Sequence, residues 1–486
     1  MESISNLLDN SCHIVVFNKF HKMTNMIELI GIGFLVVNLI LMVWIILWRK
    51  FFSAEGLGMA FLLLMVASDA FGLLMIYILN PSLADVKSEL QLRFLPNIVL
   101  TIGLLSFFVG LLISDPNRRK NLRYDLSGKS KKIRQKIIAT GYFLAFLGLS
   151  MKLFVLYSAG FRSIGAFFSG MYMYQAQITQ GEFMHIGLNI SILGLSLLVA
   201  VYNDKIIKQI FFILAIILIS FIFSLSKSGI IAALIILFFT IHVFNKEAFR
   251  RFFKPLPLII LFIIFLIGLG VKTQIKYEIL SEGRAISFSK ETILNTSLSV
   301  IGRRLGPFGL YRGYSFMVNR LVETPSLFFG KKIMESTITG WIPRFFWPDK
   351  PSPPFHARGD LTNEDRSIDI YANVAPTFAG FAFADNGYFS LIPYLLMGGF
   401  VLGLIRRTVT TKSKYLFPFV LVYIFFSTQM SGSISETGFL NLFYYITLSA
   451  ALFLAVFMFL GLCNLFKTSI SSVLRNGWST EIINVS

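Results

Sequence analysis

Charge is scarce in this chain. Charged residues make up 14% of it, whereas a soluble domain carries about a quarter. A water-facing surface cannot be covered with so few, which excludes an ordinary soluble protein. Acids are scarcer still, with 25 Asp and Glu against 44 Lys and Arg, a net charge of +19. In a soluble protein that balance would point to nucleic acid. Here the basic residues gather in short segments beside apolar runs, the pattern of topology charge in contact with anionic lipid, so membrane lipids are the expected partner and nucleic acid is not. Cysteine is nearly absent: Cys12 and Cys463 stand near opposite chain ends and, on the topology below, on opposite sides of a membrane, so neither a disulfide nor a metal spacing is expected. There is no Gly-Lys-Ser/Thr phosphate loop, no Gly-x-Gly-x-x-Gly, no His-Glu-x-x-His and no carboxylate pair at metal spacing. Nucleotide use, metal and cofactor are therefore not expected. The first apolar run begins near Met26 and lacks a small-residue cleavage site, so it reads as a span rather than a signal peptide.

Apolar residues are abundant. They form 55% of the chain, with 52 Phe, and the mean hydropathy is +0.71. The expected fold is an all-α polytopic membrane protein with about eleven transmembrane helices, each near the roughly 20 residues a bilayer requires. The spans read as 27–48, 57–80, 94–114, 137–158, 183–202, 206–224, 229–245, 256–271, 388–405, 415–431 and 439–461. The basic clusters at 49–50, 118–136, 205–208, 246–254, 406–414 and 467–475 then all fall on one side, which predicts an amino terminus outside and a carboxyl terminus in the cytoplasm, periplasmic and cytoplasmic sides respectively if the membrane is the inner one that the resemblance below implies. Five segments follow: a tail over 1–26, helices one to eight over 27–271, a large outer loop over 272–387, helices nine to eleven over 388–461, and a cytoplasmic tail over 462–486. If the first tail crosses, the count becomes twelve. No internal repeat, heptad or interrupted midplane helix is legible.

The long loop is where chemistry is expected. It carries Arg284, Arg303, Arg304, Arg312, Arg320, Arg344, Arg358 and Arg366. A guanidinium stays protonated and offers a planar fork to phosphate oxygens. These arginines can clamp a diphosphate, or they can pair with the loop's own acids. Arg344 leads, because Pro343 and the surrounding aromatics would fix its direction. His356 can serve as general base or be structural. Asp360, Glu364, Asp365 and Asp385 are alternatives, and Asp385 stands where the chain re-enters the membrane, beside Asn386 and Gly387. Lys350, Arg162 and Lys227 can add to an anion site. Asp69 and Lys152 lie inside spans, where ionisable groups are costly; they either pair with each other or line a substrate path. Trp341, Trp347, Tyr371 and Tyr388 can anchor at the interface.

The run Trp341-Ile-Pro-Arg344-Phe-Phe-Trp347-Pro-Asp-Lys350-Pro351 resembles the Wzy family of O-antigen polymerases, as do Asn319-Arg320 with Pro325 and Gly330, and the re-entry Phe383-Ala-Asp385-Asn-Gly387-Tyr388. The sequence resemblance spans about 300–390, and the topology resemblance covers most of the chain. It implies a glycosyltransferase bundle of the GT-C-like kind that joins oligosaccharide repeat units carried on undecaprenyl diphosphate, at the periplasmic face of the inner membrane. By position, Arg344 and Arg320 match the family pattern. Arg303, Arg304, His356, Asp385, Lys350 and Arg162 are chosen by chemistry and proximity. A polysaccharide chain-length regulator is a further implied partner. An O-antigen ligase shares the donor, and a lipid-linked oligosaccharide transporter would suit Asp69 and Lys152. The unbroken helices and absent inverted repeat weigh against the transporter.

Overall fold

The computed structural model describes residues 29–79, 83–115, 130–158, 171–202, 205–223, 227–252, 310–323, 377–412, 417–436 and 442–478, with a few isolated positions between them. Helix covers 94% of what is described and no strand occurs in it, so the apolar segments satisfy their backbone groups along their own axes, as lipid demands. The helices are α1 (Leu29–Arg49), α2 (Ala54–Leu79), α3 (Leu83–Ser114), α4 (Lys131–Ser158), α5 (Met171–Val201), α6 (Ile206–Phe223), α7 (Lys227–Phe244), α8 (Lys246–Phe252), α9 (Leu310–Glu323), α10 (Thr377–Lys412), α11 (Phe417–Glu436) and α12 (Leu442–Trp478). Six segments, in α1, α2, α3, α4, α10 and α12, are long and apolar enough to cross a membrane, and α5, α6, α7 and α11 hold shorter apolar segments. The protein is thus an α-helical membrane protein. Leu47, Phe146 and Ile207 stand more than 70% exposed on its flanks, where only lipid would tolerate them.

Two apolar clusters make the core. One is built by α4 to α8, the other by α1 to α3, α9 and α10. α11 belongs to both, with Val420 and Ile424 in the first and Phe426 and Met430 in the second. Small residues set the tightest seams. A Cβ at Gly110 of α3 would lie 2.1 Å from the Leu396 carbonyl oxygen of α10, and one at Gly148 of α4 would lie 2.4 Å from the Gly187 oxygen of α5. Such backbone approach substitutes close packing for a hydrophobic driving force that lipid does not supply.

The basic helix ends lie together. Arg49 ends α1 and pairs with Asp115, just past α3, while Arg406 of α10 comes within 4.0 Å of the same carboxylate. Phe52 stacks on His242 at 4.6 Å and meets Phe249 edge-on at 5.4 Å. The Tyr124 amide donates to Val243 O, Asn245 Nδ2 to Ala200 O, and Arg134 Nη2 to Val201 O. These contacts tie residues 49–52, 115, 124, 134, 200–201, 242–249 and 406 into one end of the bundle, so among the described residues Arg49, Arg134 and Arg406 lie at the same end.

Candidate functional site

The opposite end holds the described part of the arginine-rich segment. Asp69 of α2 is 2% exposed and is bound through both oxygens by Arg93 of α3, Nε to Oδ2 at 2.6 Å and Nη2 to Oδ1 at 2.9 Å. Arg93 Nη1 donates to the Glu89 carboxylate at 2.5 Å and to its carbonyl at 2.8 Å. A bidentate pair of this kind satisfies a charge that burial would otherwise penalise. Of the two readings open for Asp69 and Lys152, pairing with each other or lining a substrate path, neither named Arg93, which is the bidentate partner of Asp69. α3 begins at Leu83 rather than near 94, so Arg93 is a helical residue within reach of Asp69 instead of a loop residue. Lys152 is buried on α4, beside the Gly187 seam.

α9 docks on this paired centre. Its stripe of Tyr311, Tyr314, Ser315 and Val318 is fully buried. The Tyr311 hydroxyl donates to Asn97 Oδ1, Tyr314 to Pro96 O at 3.1 Å, and Asn319 Nδ2 to Leu92 O at 2.6 Å. Proline at 96 explains part of this. It stands inside α3 and brings no N–H, and the local polar groups are claimed by side chains of a neighbour. Asn38 of α1 extends the seam, donating to Asn97 O and accepting from Thr101 Oγ1. Burial, and then the Asp69 carboxylate, push the Tyr311 phenol above its ordinary value, so it stays a neutral donor at any physiological pH. Arg312 and Arg320 lie on α9, and helical register puts positions 312, 316 and 320 on a different stripe from Tyr311 and Ser315.

The chain returns through an interrupted helix. α10 starts at Thr377, earlier than the expected re-entry, and its run Phe378 to Ala384 is buried. Helical geometry fails at Asn386 (φ −154°, ψ 41°) and Gly387 (φ 59°, ψ −138°). A residue with a Cβ would be strained at that Gly387 conformation. The break folds the chain back on itself: Ser390 Oγ donates to Ala382 O, and a Cβ at Gly103 would meet both Ala379, at 3.0 Å, and Leu395, at 2.9 Å. Asp385 is the last residue before this break. Thr377, fully buried, has φ 60°, and its Oγ1 accepts from the Gly380 amide at 3.3 Å. A β-branched residue at positive φ is a strained exception, here held at the start of the short segment. The break falls where the candidate span Asn386–Thr411 begins, so it does not interrupt that span at mid-depth.

The structure places two of the chosen site residues, Arg320 on α9 and Asp385 at the break, on elements that touch: a Cβ at Gly380 of α10 would lie 2.9 Å from the Tyr314 ring. Arg303, Arg304, Arg344, Lys350, His356 and Arg162 lie outside the described residues, as do Trp341, Trp347 and Tyr371. Tyr388 is 41% exposed, with its ring edge-on to Phe383. Sequence reasoning passed over Arg93, Asn97 and Tyr311; polar residues at 38, 97 and 101, inside apolar runs, were the available signal. It also treated Arg49 and Arg406 as topology charges only and did not weigh Glu55. No protein-family model, no curated protein and no solved structure matches this chain.

Proposed function

We propose that this protein polymerises oligosaccharide repeat units carried on undecaprenyl diphosphate, at the periplasmic face of a bacterial inner membrane, as the resemblance to the Wzy family implies. The observation that carries the reading is the docking of α9 and of residues 377–385 against α3, at the end away from the basic clusters. Both flanks of the arginine-rich segment are thereby held on the bundle, beside lipid, where a carrier's diphosphate can reach them. A tether of that length without docked ends would not keep guanidinium groups in place.

In the proposed reaction the acceptor sugar hydroxyl oxygen attacks the anomeric carbon of the growing chain. The bond from that carbon to the diphosphate oxygen breaks, and undecaprenyl diphosphate leaves with the electron pair. His356 or Asp385 takes the hydroxyl proton. Arg344 and Arg320 stabilise the departing charge, with Arg303, Arg304, Lys350 and Arg162 around the diphosphate, in the manner of preorganised donors that need no metal.

The test is reconstitution. Purified protein with lipid-linked repeat units is expected to yield a ladder of polymer on a gel, and Arg344→Ala and Arg320→Ala are expected to abolish it while the protein still inserts. A ladder unchanged in both variants would remove this site assignment. Strong inhibition by a chelator would mean that a metal takes part. In cells, loss of a polymerase leaves core plus one repeat, and loss of a ligase leaves core alone.

The second reading is a transporter of lipid-linked oligosaccharide, to which the buried ionisable residues Asp69 and Lys152 would be suited. Proteoliposomes separate the two. Movement of labelled donor between leaflets with no ladder supports transport, and a ladder supports transfer.

A further inference from the structure

The corner between α5 and α6 lies at the basic end, where Arg134 Nη2 donates to Val201 O and Asn245 Nδ2 to Ala200 O. An aromatic platform is built there. The Tyr202 ring stacks on Phe212 of α6, with centroids 5.8 Å apart and planes 15° apart, and Tyr142 of α4 meets the same phenylalanine edge-on at 6.2 Å. The Lys208 ammonium stands 4.8 Å from the Tyr202 ring centroid. A ring face attracts a cation but carries no net charge to neutralise it. Lys205 and Lys208 are both exposed, and neither pairs with an acid among the described residues. Asp204 and the charged residues of 116–129 lie outside the described ones. In sequence they add five basic residues against two acids, so the positive surplus at this end stands.

Lys208 heads an apolar stripe. Ile207, Ile210, Phe211, Leu214 and Leu218 of α6 are exposed, and steps of three and four residues put them on one helix face. From 207 to 218 a helix rises about 16 Å, roughly the hydrocarbon depth of one leaflet. Tyr142 and Phe146 of α4, one turn apart, are exposed as well, and the contact of Tyr142 with Phe212 joins α4 to α6 at the basic end. An occupant of this corner has to match both halves. It must be apolar over about one leaflet and anionic where Lys205 and Lys208 stand. A soluble phosphate matches only the basic head, and an uncharged lipid only the stripe.

We infer that the α5–α6 corner is a binding site for one anionic phospholipid of the leaflet at the basic end, with its phosphate on Lys208 and Lys205 and an acyl chain along the α6 stripe. This is narrower than the general contact with anionic lipid expected from composition, because it names one place and one lipid. An ammonium offers three N–H donors to phosphate oxygens, and the Tyr202 ring holds that of Lys208 at the head of the stripe. Tyrosines at a bilayer's edge, such as Tyr142 and Tyr202, suit the headgroup level. The site stands at the end of the bundle opposite the proposed transfer chemistry and does not depend on it.

Native mass spectrometry of the full-length protein, released from nanodiscs of equal phosphatidylglycerol and phosphatidylcholine, tests this. The protein is expected to retain one phosphatidylglycerol in preference to phosphatidylcholine. Lys208→Ala is expected to lower that retention about fivefold, the scale of one basic residue against an anionic headgroup. Phe211→Ala should lower it as well, with the charge intact. Arg407→Ala, which removes an exposed basic residue at the same end, is expected to leave it unchanged. Equal retention in the unaltered protein and Lys208→Ala overturns the inference. So does an equal loss in Arg407→Ala, which would mean diffuse attraction by the whole basic end. Displacement of the lipid by excess glycerol phosphate would also overturn it, since the head alone would then suffice. The comparison of the two lipids needs no variant: equal retention of both by the unaltered protein would rule the site out even if Lys208→Ala failed to fold.

Discussion

The two ends of the bundle treat buried charge differently. Around Asp69, one arginine uses Nε and Nη2 on the carboxylate and Nη1 on Glu89, and the pair is fixed. Around Asp115, two arginines share one carboxylate, at 2.7 and 4.0 Å, while Glu55 receives no direct donor. The first arrangement sets a geometry and the second leaves one adjustable. The fixed end is where α9 and the interrupted start of α10 are docked, so the elements flanking the proposed site rest on the stiffest polar contacts described. The adjustable end gathers helix termini whose positions are set mainly by packing and by the side of the membrane they face.

Removing Arg93 breaks the comparison most severely. Arg93→Ala leaves Asp69 buried and without its bidentate partner, which is expected to cost about 3–5 kcal/mol. It should also loosen α9, read as faster proteolysis or hydrogen exchange over 310–323. A melting temperature in detergent that barely moves would mean that Asp69 has another partner of equal worth. At the other end, Arg49→Ala is expected to cost less, about 1.5–3 kcal/mol, because Arg406 already stands 4.0 Å from Asp115 and can close the gap. If both variants lose the same stability, the two ends do not differ as described. Gly110→Ala tests the seam that links them. Its Cβ would meet the Leu396 oxygen at 2.1 Å, so α3 and α10 must part, at a cost of about 1–3 kcal/mol, and the break at Asn386–Gly387 should move with α10. A wild-type unfolding curve for this variant would show the seam to be looser than it is drawn.

Much of the fold was legible because lipid imposes a simple rule. Runs of apolar residues bounded by Arg and Lys located α1, α2, α6, α7 and α11 to within a few residues. The starts of α3 and α10 were not legible. Residues 83–93 of α3 are polar and carry Glu89 and Arg93, so by composition they read as loop; they are helical because Arg93 finds Asp69. Residues 377–385 lie among polar neighbours and end in Asp-Asn-Gly, so they read as the close of a loop, yet they pack as a buried helix. The seams had a signal that went unread. Gly103 and Gly110, Gly141 and Gly148, and Gly187 and Gly194 recur at one spacing, and Gly399 and Gly403 stand one turn apart, which is how closely packed membrane helices are marked. Of the candidate site, the sequence named Arg320 of α9 and Asp385 at the break in α10. The partners that hold it, Asn97, Pro96 and Leu92, lie some two hundred positions earlier, and such distant contacts leave no local pattern.

The smallest effect is expected at Glu55, and it sharpens the comparison because a plain reading of burial predicts the reverse. A fully enclosed acid should be costly to alter if protein donors hold it, as Arg93 holds Asp69. Glu55 receives no direct donor, so Glu55→Gln keeps the shape of the side chain and breaks no hydrogen bond within the protein. The expected loss is under about 1 kcal/mol, below the scale of losing one direct hydrogen bond. The measurement is a denaturation midpoint beside that of Arg93→Ala in the same detergent. Equal losses would mean that Glu55 is bonded directly, most simply by Arg406 closing on it, and the basic end would then be as rigid as the other.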